Sequence, residues 1–362
     1  MNTWDQLYIP YISSSRYIFP SSQQVNNDTY PIFRVEGEKT YSQVIYQQGN
    51  IILHVIASGS YGIIYRIHQP SHGDYVLKLI PRLYSPELQL APLPISYDSS
   101  DREHVSYYPP EEAEIRIWSK LSQLVRQRKT PHIRPCYFQF FVPHIPRLVP
   151  NDGICLKLLL KRFYENRLLN ECYIGVGQWN HGVTMTQFLQ HHDDMTLYEW
   201  KIILFQLLYT LHVIEHTFSG FRHNDLSPNN IMIEELPTDH STIVYVLFQT
   251  YFRITNCTYS IQFIDFDWSN IPYVIENSRV YSSRSIQQRS RFPISDLLFF
   301  FETSYAQFSH VMDTYPELIQ FIHYVKRTPS QQTYYGLLHH DFFLCFQTNE
   351  EIIHPSEQVY CI

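Results

Sequence analysis

Asp225 and Asn230 stand five positions apart in the run Phe221-Arg222-His223-Asn224-Asp225-Leu226-Ser227-Pro228-Asn229-Asn230-Ile231, between a helix-like apolar stretch and a strand-like one. Phosphoryl transfer needs a carboxylate to orient the attacking hydroxyl and oxygen ligands to hold Mg²⁺, and H-x-D-x-x-x-x-N supplies both from one rigid loop. Downstream, Ile264-Asp265-Phe266-Asp267 offers a second metal-binding carboxylate. Upstream, Gly59-Ser60-Tyr61-Gly62 precedes Val76-Leu77-Lys78, the pattern of a phosphate-covering loop with a strand lysine behind it. Each piece alone has a plain structural explanation: a hairpin turn for the glycines, a capped turn for the Asp and Asn, a buried strand end for Ile264-Asp265. Four pieces in this order are far more specific than any one.

Elements must hold these residues in place, and the bulk properties allow them. A chain of 362 residues, 44% hydrophobic and 17% charged, can bury a core large enough for two lobes. Only 11 glycines occur, so each carries more information than usual. The net charge of -7 argues against a broad nucleic-acid footprint, which needs clustered Lys and Arg, and no nucleic-acid partner is expected. Cys136, Cys155, Cys172, Cys257, Cys345 and Cys361 show neither C-x-x-C spacing nor zinc-ligand partners, and they read as reduced thiols of a cytoplasmic protein. Met1 to Asp5 show no secretory signal. The apolar stretch Trp200 to Glu215 is too short to span a bilayer and reads as a buried helix.

Residues 1–50, rich in Ser, Gln, Asn and Tyr without a clean period, read as an extension. Strands are predicted at 51–56, 63–67 and 75–80, an antiparallel start to a small sheet. Six prolines mark 81–110 as an inserted loop, followed by a helix over 111–124 with acidic residues suited to the positive end of its dipole. Strands at 154–160 and 171–176 and a connector at 177–182 complete a first lobe over 51–176. A second lobe over 177–362 holds helices at 185–190 and 196–216, short strands at 231–233 and 259–264, and an inserted hairpin within 237–258.

This order of motifs, from about Ile51 to about Phe301, resembles the protein kinase-like superfamily. The resemblance implies a bilobal α+β fold, with ATP and Mg²⁺ bound between a five-stranded sheet lobe and a mainly helical lobe. It assigns Gly59, Ser60, Tyr61 and Gly62 to the loop over the phosphates, with Ala57 in place of the family's first glycine. Lys78 would contact the α- and β-phosphates and pair with a glutamate, best matched by Glu114. Asp225 would be the catalytic base, Asn230 and Asp265 the Mg²⁺ ligands. His223 would pack beneath the loop, Phe266 against the helix of Glu114, and Asp296 would anchor the catalytic loop. Ile64, Val76 and Met232 sit where the family sandwiches adenine.

Three departures qualify the resemblance. Asn224 stands where many protein kinases carry an arginine that reads a phosphorylated activation loop, so switching by that route is not expected. Ser227 replaces a lysine common in serine/threonine-directed members. Asp267 replaces a glycine, which implies either a restricted metal-loop conformation or an extra acidic group near the metal. There is also no Ala-Pro-Glu triplet between Asp265 and Asp296, and Asp225 and Asp265 are 40 positions apart, as an inserted hairpin requires. Such interrupted versions look like divergent serine/threonine protein kinases of large DNA viruses, which implies a protein substrate. Two alternatives remain open from the residues: a small-molecule kinase resembling choline and ethanolamine kinases, and a non-catalytic scaffold. Lys78, Asp225, Asn230 and Asp265 are all retained, which favours activity, while the glycine loop with Val76-Leu77-Lys78 favours protein acceptors. Oligomeric state is not readable.

Overall fold

A computed structural model describes residues 35–36, 43–46, 51–58, 62–69, 73–83, 107–142, 168–179, 181–236, 242–349 and 357–362. Gly59, Ser60, Tyr61 and the strand predicted at 154–160 lie outside the described residues. The fold is α+β, and the chain divides into two compact units, residues 1–85 with 138–179 and residues 86–137 with 180–362.

The first unit is built on a sheet of seven strands among the described residues, in the order β1-β2-β3-β4-β5-β8-β7. They are β1 (Val35–Glu36), β2 (Gln43–Tyr46), β3 (Ile51–Ser58), β4 (Ile63–Gln69), β5 (Gly73–Leu83), β7 (Cys136–Val142) and β8 (Leu168–Gln178). Five strands were expected. Four of those match β3, β4, β5 and β8; of the three that were not expected, β1 and β2 come from the segment read as an extension, and pieces of two and four residues are too short to display a period. The run Cys136–Val142, rich in aromatic residues, was also missed. Pro81 lies within β5 rather than opening a loop, at a register shift where a missing N–H is tolerated. Gly62 precedes β4 with a local reason to be glycine, since a Cβ there would lie 2.6 Å from the Leu79 carbonyl oxygen.

The second unit carries β6 (Tyr107–Tyr108), α1 (Pro110–Arg126), β9 (Val183–Thr184), α2 (Met185–His191) and α3 (Leu197–Thr217). Capping boxes at Thr184/Gln187 and Thr196/Glu199 start α2 and α3 by satisfying N–H groups that have no helical partner. From Ile202 to Ile214 every residue of α3 is buried, so this helix forms the axis of the core. Two short sheets pack around it. One has the order β13-β10-β9, with β10 (Ile231–Glu235) and β13 (Tyr259–Phe263) flanking the inserted hairpin. The hairpin itself, β11 (Ile243–Leu247) and β12 (Thr250–Ile254), forms as expected. It is completed by β15 (Gln347–Thr348) and by β16 (Gln358–Cys361), which runs parallel to β11.

The remaining elements are β14 (Glu276–Asn277), α4 (Ser278–Ser282), α5 (Arg284–Arg289), α6 (Ser295–Met312), α7 (Pro316–Arg327) and α8 (Tyr334–Leu338). Helix α1, placed by sequence in the first lobe, clusters with the second unit. Its Trp118 Nε1 donates to the Arg134 carbonyl at 2.7 Å, and β6 pairs in parallel with β14.

Candidate active site

The loop over 221–230 is held from three sides. Gly220 enters it with φ +76°, and a Cβ there would stand 3.2 Å from Pro272 Cγ. Arg222 and Asn270 then exchange both backbone hydrogen bonds, at 3.0 and 2.9 Å. Finally, the buried carboxylate of Asp296 on α6 accepts the His223 N–H through one oxygen and the Asn224 N–H through the other, both at 2.8 Å. Two backbone donors shared by one anion fix the direction of the chain as it reaches Asp225.

Asn224 adopts φ +64°, a left-handed conformation that Asn tolerates better than most residues. Its Nδ2 donates to the Trp268 carbonyl at 2.9 Å, and its Oδ1 accepts the Ser290 hydroxyl at 2.5 Å. Asn224 is therefore a bridge between the loop and the segment after Asp265. His223 is fully buried, with Nε2 3.2 Å from the Ile264 carbonyl and its ring 5.3 Å from that of Phe266. It packs beneath the loop.

Beyond the anchor, the turn at Pro228–Asn230 brings Asn230 back onto Asp225: Nδ2 donates to the Asp225 carbonyl at 2.8 Å and to its carboxylate Oδ2 at 2.9 Å. With Nδ2 so used, Oδ1 is the remaining face of the amide. The Asn230 carbonyl accepts the Ile264 N–H at 3.0 Å, continuing the register that pairs Ile231 with Phe263, so Asp265 follows directly beside Asn230. Asp265 has φ +62°, a strained conformation for a residue with a Cβ. One loop and one strand end thus place Asn230 in contact with Asp225 through its side chain and with Ile264, the neighbour of Asp265, through its backbone. Met232 lies two residues on in β10, half-buried between the core residues Ile231 and Ile233.

Asp267, which replaces the glycine, is drawn to a partner of its own. The left-handed residue is Asp265, so position 267 does not need glycine. Its carboxylate is turned to Arg279, with Nη1 3.1 Å from Oδ2 and both side chains about nine-tenths buried (11% and 8% exposed).

In the first unit, the register places Ile64 opposite Lys78 and Arg66 opposite Val76, so Ile64, Val76 and Lys78 share one face of the sheet. On the other side of β5, Gly175 pairs with Lys78 and Gly177 with Val76, so β8 adds no side chain to that face at those two positions. This alternating G-x-G on a strand was not used in the sequence reading, although scarce glycines at period two were its available signal. Glu114 is buried at 2% exposure on α1, as is Glu111 at 3%. Lys78 and Glu114 fall in different units.

The two residues that the resemblance assigns to the metal offer one carboxylate, Asp265, and one amide oxygen, Asn230 Oδ1, both hard oxygen donors. That suits Mg²⁺, which takes one or two carboxylates and fills its shell with water and phosphate oxygens. Among the described residues no three His, Cys, Asp or Glu side chains form a cluster of their own that could hold a metal.

Residues 181–334 match the family model described as poxvirus serine/threonine protein kinase. This span contains the Asp225 loop, Asn230, Asp265 and Asp296. Over this region the chain is similar to divergent viral protein kinase-like proteins. A protein of Acanthamoeba polyphaga mimivirus named "Putative serine/threonine-protein kinase" is 30% identical over 185 residues, which cover 47% of this chain and 40% of that relative. The kinase-like region spans less than half the length of the relative it matches. Within the matched region the sequence alone did not single out Asn277 and Arg279. The one reads as an ordinary helix cap and the other as a surface base, and only the fold reveals their partners.

Proposed function

We propose that this chain is a Mg²⁺- and ATP-dependent protein kinase that transfers the γ-phosphoryl group to a serine or threonine hydroxyl. One observation carries the reading. The Asp225 carboxylate is held by Asn230 Nδ2 at 2.9 Å on a loop whose backbone is clamped by Asp296, and Asp265 adjoins it through the Ile264 N–H to Asn230 carbonyl bond. A carboxylate on a clamped loop can accept or orient an incoming hydroxyl without reorganising at the moment of transfer.

In this reading Asp225 receives the acceptor proton, and Asn230 Oδ1 and the Asp265 carboxylate are the Mg²⁺ ligands. Bound Mg²⁺ would neutralise charge on the transferring phosphate. Lys78 is assigned to the α- and β-phosphates and Glu114 to its charge compensation. Gly59, Ser60, Tyr61 and Gly62 are assigned to the covering loop, and Ile64, Val76 and Met232 to the adenine. The kinase names of the matching family and of the mimivirus relative support a protein acceptor.

The test is transfer from labelled ATP to generic protein substrates, with choline and ethanolamine as parallel acceptors. Labelling of protein hydroxyls by the wild type, reduced by about 10²- to 10⁴-fold in Asp225→Asn with folding intact, is the expected result. Transfer to the amino alcohols alone would assign a small-molecule kinase. Neither transfer nor a Mg²⁺-ATP thermal shift would assign a scaffold.

A further inference from the structure

We propose that Asn277 and Arg279 are positioning residues that lock the Asp265 loop into shape by internal contacts, so that its order does not depend on phosphorylation. This rests on the reading of Asp265 as a Mg²⁺ ligand.

The Asn277 side chain is fully buried, and its polar atoms are spent on the Asp265 loop and the helix that follows it. Nδ2 donates to the carbonyls of Asp267 at 2.8 Å and Ser269 at 3.1 Å. Oδ1 accepts the Arg279 N–H at 3.0 Å, and the Asn277 N–H donates to Asn270 Oδ1 at 2.8 Å. A buried amide satisfied this completely holds one backbone course, because any shift of 267–270 strands a donor or an acceptor away from water.

Arg279 adds the charge. Its guanidinium meets the Asp267 carboxylate at 3.1 Å and lies 5.0 Å over the Trp268 ring. An arginine paired with a carboxylate and stacked on an indole is the arrangement that a phosphate-reading arginine makes with a phosphate, here formed with a permanent charge of the chain itself. The opposite partner is absent where the family would put it, since Asn224 presents an amide to the Trp268 carbonyl. The strained φ of +62° at Asp265 persists only where its surroundings over-determine it, and the network begins two residues later.

The same segment reaches α1. Asn277 pairs with Tyr108 and Glu276 with Tyr107 in a parallel bridge, and Pro110 begins the helix that carries Glu114. Arg116 of that helix lies 4.7 Å over the Tyr108 ring. One buried asparagine therefore ties the metal loop to the strand that leads into α1.

The experiment compares wild type, Arg279→Gln, Arg279→Lys and Asp267→Asn by amide hydrogen exchange over 264–270 without nucleotide, and by the Mg²⁺ concentration that gives half the ATP-induced thermal shift. Arg279→Gln and Asp267→Asn should each speed exchange over 264–270 and raise that Mg²⁺ concentration by about tenfold, the size of one lost charge-assisted hydrogen bond. Arg279→Lys should recover part of both effects by restoring the charge, which a purely steric role would not allow. Phosphatase treatment of the wild type should change neither readout. Unchanged exchange in both Arg279→Gln and Asp267→Asn, or loss of protection after phosphatase treatment, would overturn the proposal. If the wild type gives no thermal shift, the Mg²⁺-ATP reading of the site fails, while the exchange comparison still decides whether the network orders the loop. Should Arg279→Gln not fold, Asp267→Asn, nearly isosteric, supplies the same comparison.

Discussion

Replacing Asp296 by Asn isolates the clamp on the Asp225 loop from the chemistry at its tip. Asp296 is 2% exposed and uses one oxygen for the His223 N–H and the other for the Asn224 N–H, each at 2.8 Å. Asparagine keeps the shape but retains a single acceptor, and its NH₂ must face the second N–H. The loss of one hydrogen bond to a charged group, about 1.5–3 kcal/mol, together with a stranded buried donor, places the total at about 2–4 kcal/mol. That lies within the roughly 5–15 kcal/mol of a typical domain, so the variant should fold. The consequence for activity follows from position. The released N–H belongs to His223 or Asn224, directly before Asp225, so kcat should drop by at least tenfold while the KM for ATP changes less. Urea unfolding and steady-state kinetics on the same preparation check both numbers. Full stability with full turnover would refute the clamp, and lost stability with unchanged kcat would show that Asp296 supports the fold without aiming Asp225.

Three further outcomes test other parts of the reasoning. Lys78→Met should weaken productive nucleotide placement, seen as a raised KM for ATP and a smaller ATP thermal shift, and unchanged values would reject the phosphate assignment. Gly220→Ala should destabilise by about 1–2 kcal/mol, because φ is +76° and the new Cβ would meet Pro272 Cγ at 3.2 Å; denaturant midpoints report it. His132 gives the fold an acid sensitivity. Burial lowers its pKa from 6.5 to about 3, opposed in part by its bond to the Ile261 carbonyl. Its Nε2 lies 2.7 Å from the Tyr245 hydroxyl, and burial disfavours the charged ring. Between those two values the unfolded chain holds a proton that the folded chain refuses. This contribution to stability is whole above pH 6.5 and falls by about 1.4 kcal/mol for each unit below it, down to about pH 3. Unfolding free energies of wild type and His132→Phe should differ in slope by about that amount across pH 4–6 and run parallel above pH 7, and parallel slopes below pH 6 would refute the assignment.

What the sequence disclosed and what it hid divide along a physical line. Asp225 and Asn230 were legible as a pair because the geometry that joins them is a single turn, Pro228–Asn230, whose residue types announce it. Helix α3 was legible because thirteen consecutive buried residues from Ile202 to Ile214 leave no other home for such a run. Strands β6 and β14 were not, since two residues carry no period and their pairing joins Tyr107 to Glu276 across most of the kinase-like region. Asp267 shows the limit most clearly. Its type suggested a metal ligand or a constrained loop, and the choice lay with a partner twelve positions away that nothing local distinguishes from the other basic residues around it. In the folded chain the Asp267 carboxylate is paired with the Arg279 guanidinium. That pairing lives in tertiary packing, where a motif cannot express it.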